Sequence, residues 1–291
     1  MGGQPILVTG VPRSGTTWLA RLLAAAPHTA MVGREPMNPR HRQYGLGGTL
    51  TGWTRLTQPT RRQARALRFA YLGINPYVYG RYGRHQLVAA APSTRVIVKD
   101  PFALLSLAAI AGTTHARPVL VYRHPGAVLT SYRRMGWTAD LAELLPTLQA
   151  SVSCVPAARG RPPGLSEDAA DMCDFWSGLH RLALKDIDLL PDAVVVSHDE
   201  LSTCGVPAVR RLFEVCDLTW TPKVERSVTA AFGSREQADA LMSAALHNFD
   251  RRPEEVSKGW RSKLPAAEAA AVEQATQDVL QDLERRRVRL A

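Results

Sequence analysis

The apolar positions of this chain follow two alternating patterns. Continuous apolar runs of four to six residues predict buried strands, and between them apolar side chains recur every three to four residues, which predicts helices. Strands that alternate with helices are expected to form one sheet with right-handed crossovers. We therefore predict an α/β fold, a three-layer sandwich with a central, mostly parallel five-stranded sheet and helices on both faces. The predicted strands are 5–9, 29–32, 94–99, 117–122 and 193–197, and the predicted helices include 18–26, 61–72, 126–134, 168–190, 206–216 and 265–287.

The loop between the first strand and the first helix reads GVPRSGTTW over residues 10–18. A tight loop at this place directs backbone N–H groups and the positive end of a helix dipole at one point, which suits phosphate or sulfate. Gly10 and Gly15, with Thr17, match the nucleotide-binding pattern G-x-x-x-x-G-K-[ST], which places the predicted sheet in the phosphate-loop class. Thr16 replaces the lysine of that pattern, and the basic residue of the loop is Arg13. The loop thus predicts an anion site that lacks the lysine needed to bind ATP. The alternative is a glycine turn that binds no ligand.

The same residues resemble the loop that binds the 5′-phosphosulfate in sulfotransferases that use 3′-phosphoadenosine 5′-phosphosulfate (PAPS). That loop has the pattern [KR]-x-G-T-T-[WL], and residues 13–18 match it at every position. The resemblance implies transfer of a sulfuryl group from PAPS to an acceptor hydroxyl, with an amine as a second option, and no metal. Arg13 would act on the transferred sulfate, and Trp18 would be placed to pack on adenine. The residues that the resemblance assigns to PAPS are Arg13, Ser14, Gly15, Thr16, Thr17 and Trp18.

Glu35 follows the second predicted strand in a segment whose prolines, Pro36 and Pro39, argue against a helix. Open α/β sheets bind ligands just beyond the carboxyl ends of their strands, so this loop is a candidate part of the site. A lone exposed glutamate is usually only a surface charge. Carbohydrate and tyrosylprotein sulfotransferases carry a glutamate about this far beyond the loop as the base that deprotonates the acceptor. The resemblance therefore implies that Glu35 is the catalytic base.

Lys99 ends the third predicted strand beside the predicted anion loop, and Asp100 and Pro101 carry the signals of a helix start. The run Lys-Asp-Pro-Phe resembles the segment of tyrosylprotein sulfotransferases whose lysine contacts the leaving oxygen, which implies that role for Lys99. An exposed lysine at a strand end is the alternative. The cytosolic small-molecule sulfotransferases have Lys-Thr-His here, with the histidine as base. Because Pro101 occupies that position, the chain resembles the carbohydrate and tyrosylprotein type more closely.

A second motif follows the fourth predicted strand, where Arg123 stands at the strand end and Ser131 lies eight residues further on. About two helical turns separate them, so a cation and a hydroxyl can face one crevice. This pair resembles the 3′-phosphate site of the same family, and the resemblance assigns both residues to PAPS.

Other candidates carry weaker signals. The resemblance assigns Lys258 and Arg261, on the loop before the last helix, to the nucleotide, and the alternative is an ordinary charged loop. Ser227 lies in a stretch similar to one near the cofactor, but the later spacing differs. The acidic run 198–200 after the fifth strand is left out of the site.

Length and composition describe an ordinary globular protein. The 291 residues, of which 45% are hydrophobic, suffice for one large domain, and neither a repeat nor a linker divides them. We predict a single domain over 1–291, with acceptor-binding insertions at approximately 34–93 and 137–167. No apolar stretch approaches the roughly 20 residues that span a bilayer, and no signal peptide is visible. A cytoplasmic protein is expected, with its four cysteines as small buried hydrophobes.

The net charge of +10 is concentrated in segment 34–95, which contains eleven arginines and a single acidic residue, Glu35. Such a field favours an anionic partner, namely an acidic acceptor, a lipid surface or a nucleic acid, although a solvated arginine-rich face is the alternative. No nucleic-acid-binding motif is present, so no nucleic acid is expected. We expect a small-molecule, glycan or lipid acceptor, and contact of segment 34–95 with a membrane surface stays open.

Two other functions agree with parts of the sequence. A phosphate-loop kinase predicts a lysine at position 16 and dependence on Mg²⁺, and Thr16 argues against it. A non-catalytic anion-binding module would keep the loop and recruit acidic partners through its arginines. Such a module would not be affected by Glu35→Ala, whereas a transferase would lose turnover and keep its nucleotide affinity. The sequence does not identify the acceptor.

Overall fold

The computed structural model of this chain describes residues 3–32, 34–39, 46, 50–74, 93–151, 162–232 and 259–291. Within these residues five strands form one sheet in the order β2-β3-β1-β4-β5, and every neighbouring pair is parallel. The predicted α/β fold is therefore confirmed, with a sheet that is parallel throughout. The strands are β1 (Ile6–Thr9), β2 (Thr29–Val32), β3 (Arg95–Lys99), β4 (Arg117–Tyr122) and β5 (Val194–Ser197).

Helices cover both faces of the sheet. Side chains alternate along each strand, so that Ile6 and Val8 pack into one core and Leu7 packs into the other. Because both faces are buried, the strands are continuous apolar runs without a polar side. The first core is covered by α1 (Thr16–Leu23), α7 (His198–Val215) and α8 (Pro222–Phe232). The second is covered by α2 (Arg61–Tyr71), α3 (Leu107–Thr114), α4 (Pro125–Met135), α5 (Leu141–Ala150), α6 (Glu167–Ile187) and α9 (Ala266–Arg286).

Two helices begin differently from the sequence prediction. The segment after β3 starts as a 3₁₀ helix, Pro101–Ser106, before it continues as α3. The helix predicted from residue 206 begins instead at His198. Its first part ends at a kink at Gly205 (φ 64°), and its second part corresponds to the predicted helix. The Ser197 side chain caps this first piece by accepting a hydrogen bond from the Glu200 N–H at 3.3 Å. The S-x-x-E spacing of Ser197 and Glu200 is a sequence signal for that start.

The strand register aligns the loops that follow the strands. Val32 of β2 lies beside Val98 of β3, and Val8 of β1 lies beside Lys99. Since all the strands run in the same direction, the loops after β1, β2 and β3 open at one edge of the sheet, together with the loop after β4.

The remaining sequence predictions have mixed outcomes. Among the described residues, no helix combines the length and the hydrophobicity needed to cross a membrane. Cys173 and Cys216 are buried free thiols, and burial raises the pKa of each to about 12, so they act as small hydrophobes as predicted. Cys204 is also a free thiol but is only half-buried, and Cys154 lies outside the described residues. The single domain and its two insertions stay predictions.

Candidate active site at the carboxyl edge of the sheet

The loop between β1 and α1 is tightly built and depends on its glycines. Gly10 has a φ of 156°, and a Cβ atom there would lie 2.1 Å from the Val121 carbonyl oxygen of β4. Gly15 has a φ of 92°, and its Cβ would lie 2.4 Å from Cδ2 of His198. Between them Arg13 also has a positive φ, 76°. Only glycine fits the first two positions, which fixes the path of the loop against β4 and α7.

The loop leaves hydrogen-bond donors available at the start of α1. Gly15 is the N-cap residue, no side chain caps the helix, and its first turn has no acidic residue. The Ser14 side chain is fully buried, and its hydroxyl has no hydrogen-bond partner among the described residues. A buried hydroxyl without a partner is costly in free energy, so Ser14 is a candidate contact for a ligand. The arrangement of Ser14 and the α1 N-terminus fits a phosphate or sulfate group.

The two sequence motifs that resemble a PAPS site are in direct contact. Nε of Arg13 donates a hydrogen bond to the Ser131 hydroxyl of α4 at 3.1 Å. Nη1 of Arg123 donates a hydrogen bond to the Arg13 carbonyl oxygen at 3.1 Å, and Trp176 fixes the Arg123 backbone through its indole N–H at 3.2 Å. The loop after β1 and the loop after β4 therefore form one polar surface.

Positive charge is concentrated on this surface. Burial lowers the pKa of Arg123 to about 10, which Asp199 opposes and the positive charges of Arg13 and Arg134 reinforce. The pKa of Arg13 is also lowered, by burial first and by Arg134 second. Arg134, an exposed residue of α4, was not among the candidates from the sequence. Guanidinium groups gathered on one surface suit an anionic ligand.

A second group of polar side chains lies at the ends of β2 and β3. Glu35 and Lys99 form an ion pair in which Oε1 of Glu35 accepts from Nζ of Lys99. Oε2 of Glu35 accepts from the Asn38 amide at 2.5 Å. The neighbouring register of β2 and β3 explains the pair, because Lys99 is the last residue of β3 and Glu35 follows the adjacent strand β2. The structure thus brings together the two residues to which the resemblance gave the base and the leaving-oxygen contact.

Asp100 connects this pair to the fold. The Asp100 carboxyl group is completely buried. Its Oδ2 accepts a hydrogen bond from the Met37 N–H at 2.6 Å. Its Oδ1 accepts hydrogen bonds from the N–H groups of Phe102 at 3.0 Å and Ala103 at 3.3 Å. The side chain therefore caps the helix after β3 and holds the Glu35 loop at the same time. Burial, followed by the charge of Glu35, raises the pKa of Asp100 to about 8. The sequence indicated only the capping role.

Trp18 and Arg261 are placed differently with respect to the loop. Trp18 packs beside His198, with ring centroids 5.5 Å apart, and edge-on to Phe232 of α8 at 5.6 Å. His198 borders Gly15, so part of the run that the sequence left out of the site lies against the anion loop. Arg261 is exposed, pairs with Glu273 at 3.1 Å and stacks on Trp260, without a described contact to the anion surface.

Two further candidates add little to the site. Lys258 lies outside the described residues. Ser227 is exposed on α8, where its hydroxyl donates to the Lys223 carbonyl oxygen at 3.0 Å.

The fold and the site together define an α/β protein with a candidate anion site at the carboxyl edge of a parallel sheet. The chain belongs to the sulfotransferase family, whose model matches residues 5–222. No curated protein sequence matches it.

Solved structures of sulfotransferases are similar to this one. The chain has 14% sequence identity and a TM-score of 0.52 to a sulfotransferase domain from the curacin biosynthetic pathway, with 98% of this chain and 99% of that domain covered. It has 15% identity and a TM-score of 0.48 to the sulfotransferase STF9 from Mycobacterium avium, with 97% and 77% covered. At these identities the likeness concerns the fold.

Proposed function

We propose that this protein transfers a sulfuryl group from PAPS to a hydroxyl group of an acceptor. The observation that carries the proposal is the position of the Glu35–Lys99 ion pair at the same sheet edge as the Arg13, Arg123 and Ser131 surface. An anion site alone would suit many ligands. An anion site beside a carboxylate and an ammonium group also provides for the movement of a proton.

The residues of the anion surface fit the two ends of PAPS. The N–H groups at the start of α1, the Ser14 hydroxyl and Arg13 would bind the 5′-phosphosulfate, and Arg123 with Ser131 would bind the 3′-phosphate. PAPS supplies a sulfuryl group attached through an oxygen to a phosphate, which is a good leaving group. Charge that grows on the oxygens during transfer is stabilised by donors that are already fixed, so the chain needs no covalent intermediate of its own.

The ion pair would deal with the acceptor. Glu35 would take the proton of the acceptor hydroxyl, and Lys99 would donate a hydrogen bond to the leaving oxygen. A carboxylate has about four lone-pair positions, so Glu35 can accept a further hydrogen bond while it contacts Lys99 and Asn38. The Lys99 contact orients the carboxylate before the acceptor arrives.

The test is to separate turnover from nucleotide binding. We expect Glu35→Gln to lower kcat by about 10² to 10⁴, the range for loss of a general base, and to leave the affinity for 3′-phosphoadenosine 5′-phosphate within about twofold. Lys99→Met should lower kcat by about 10² to 10³. Turnover is followed as transfer of label from PAPS, and affinity is measured by calorimetry. The matched control is Glu225→Gln, which changes an exposed glutamate of α8.

Two results would contradict the proposal. One is full turnover by the Glu35→Gln variant, which would leave a non-catalytic role for the ion pair. The other is tighter binding of ATP with Mg²⁺ than of 3′-phosphoadenosine 5′-phosphate, which would favour a phosphate-loop kinase.

The acceptor and the compartment belong to the proposal as well. We propose a small-molecule, glycan or lipid acceptor in the cytoplasm, acidic if it binds to segment 34–95, and no nucleic acid. Incubation of the protein with labelled PAPS and fractionated extract of its own organism identifies the fraction that becomes labelled. Label in nucleic acid alone would contradict this part of the proposal.

A further inference from the structure

The outer face of α2, with the residues just after it, combines positive charge with exposed apolar side chains. At about 100° per residue, its exposed side chains fall within an arc of about 120° on the helix. Gln63, Ala66, Leu67, Ala70 and Tyr71 occupy the rest of the circumference and are buried against the protein. We call the exposed set the α2 face; it consists of Arg61, Arg62, Arg65, Arg68, Phe69, Leu72 and Ile74.

The arginines of the α2 face have no carboxylate partner among the described residues. The contacts they do make are a hydrogen bond from Arg68 to the Thr113 carbonyl oxygen at 3.2 Å and the stacking of Arg65 on Phe69 at 5.2 Å. The whole segment 50–74 contains no aspartate or glutamate. Arg211 of α7, by contrast, pairs with Glu214 at 2.7 Å. The α2 face therefore presents a field that an external anion can neutralise.

The apolar residues lie at one end of the same face. Phe69 is 38% exposed, Leu72 57% and Ile74 47%. They follow the arginines along the chain, so that one surface has a cationic part and an apolar part next to each other. Three large apolar side chains exposed in succession form a patch rather than a scatter of single residues.

We propose that the α2 face docks on the surface of an anionic lipid bilayer. The guanidinium groups match the phosphates and carboxylates of the headgroups, and the apolar side chains match the boundary between headgroups and acyl chains. A nucleic acid would satisfy the arginines but would leave Leu72 and Ile74 in water. A second copy of the chain would cover the apolar residues but would place four arginines against four arginines. The docking does not depend on the sulfuryl-transfer activity.

Vesicle sedimentation tests this proposal with the full chain. The wild-type protein should bind vesicles that contain phosphatidylserine and should bind poorly to vesicles of phosphatidylcholine alone. Arg62→Gln combined with Arg65→Gln should weaken binding about 25-fold, at about fivefold per arginine. Leu72→Ser should weaken binding about tenfold, because its side chain would no longer enter the interface. Added salt should weaken the wild type more steeply than the double arginine variant.

The matched control is Arg210→Gln combined with Arg211→Gln, which removes two exposed arginines from α7 and should bind as the wild type does. All substituted residues are exposed, so folding is preserved, and circular dichroism verifies this. Equal binding to both kinds of vesicle, or wild-type binding by the double α2 variant, would overturn the proposal. So would a nucleic acid that displaces the protein from vesicles and binds it with the same dependence on Arg62, Arg65 and Leu72.

Discussion

The two halves of the sheet edge are built on opposite electrostatic principles. At the ends of β1 and β4 burial, and then the positive charges of Arg13 and Arg134, lower the pKa of Arg123. At the ends of β2 and β3 Lys99 and Glu35 neutralise each other, and Asp100 beside them has a pKa raised to about 8. The first half gathers positive charge, whereas the second pairs a cation with a carboxylate. Crowded cations suit an anionic ligand, and under the proposed function the ion pair would serve proton transfer.

The two halves also differ in what holds them in place. The β1–α1 loop is held by backbone geometry, with glycines at Gly10 and Gly15 where any side chain would collide. The Glu35 loop is held by a side chain, because Asp100 accepts the Met37 N–H. The first arrangement is disrupted by adding one methyl group to the backbone, whereas the second is disrupted by removing one carboxyl group. Each of the following substitutions acts on one half only.

Gly10→Ala should have the largest effect. The new Cβ would lie 2.1 Å from the Val121 carbonyl oxygen, and the φ of 156° is unfavourable for alanine. We expect the free energy of unfolding to fall by about 3 kcal/mol or more, measured by urea denaturation. The control is Gly112→Ala in α3, where a Cβ meets nothing within 4 Å and alanine should be neutral or stabilising. Equal stability of Gly10→Ala and wild type would show that the loop is not held by its backbone.

Arg123→Met should have the next largest effect, on nucleotide affinity. Loss of a buried guanidinium from a phosphate should weaken 3′-phosphoadenosine 5′-phosphate by about 10², and adenosine 5′-phosphate much less. Calorimetry with both nucleotides measures the difference. Arg117→Met is the matched control, because Arg117 begins β4 at the opposite edge and pairs with Asp217 at 2.8 Å. An equal loss of affinity for the two nucleotides would show that Arg123 does not bind the 3′-phosphate.

Much of this architecture could be predicted from the sequence, for identifiable reasons. Buried parallel strands give continuous apolar runs, and the glycine spacing of the loop reflects backbone positions that only glycine fits, so both leave a local pattern. The contact of Arg13 with Ser131 spans 118 residues, and that of Asp100 with Met37 spans 63. Such contacts depend on the path of loops in space, which no local period encodes. Arg134 was missed for the same reason.

The pH dependence of the free energy of unfolding should report on the half at the ends of β2 and β3, because Asp100 titrates there. Its pKa is raised from 3.8 to about 8, so the native state holds a proton that the unfolded state has released. The free energy of unfolding should therefore fall as pH rises through this window, by at most about 1.4 kcal/mol per pH unit. The range from about pH 7 to pH 8 is the most informative, because His180, whose pKa burial lowers to about 4, has no charge there. Asp100→Asn should flatten the slope in that range, and an unchanged slope would contradict the assignment.

Ser14→Ala should change the free energy of unfolding least, and it should change stability and nucleotide affinity in different directions. The Ser14 hydroxyl is buried without a hydrogen-bond partner among the described residues, so its removal takes away an unsatisfied group. We expect the free energy of unfolding to stay constant or rise by up to about 1 kcal/mol, while the affinity for 3′-phosphoadenosine 5′-phosphate falls about tenfold. Ser227→Ala, at an exposed hydroxyl of α8, should change neither quantity. A variant that gains stability while it loses affinity shows that the anion half keeps an unpaired group for its ligand, whereas a loss of both would mean that Ser14 serves the fold.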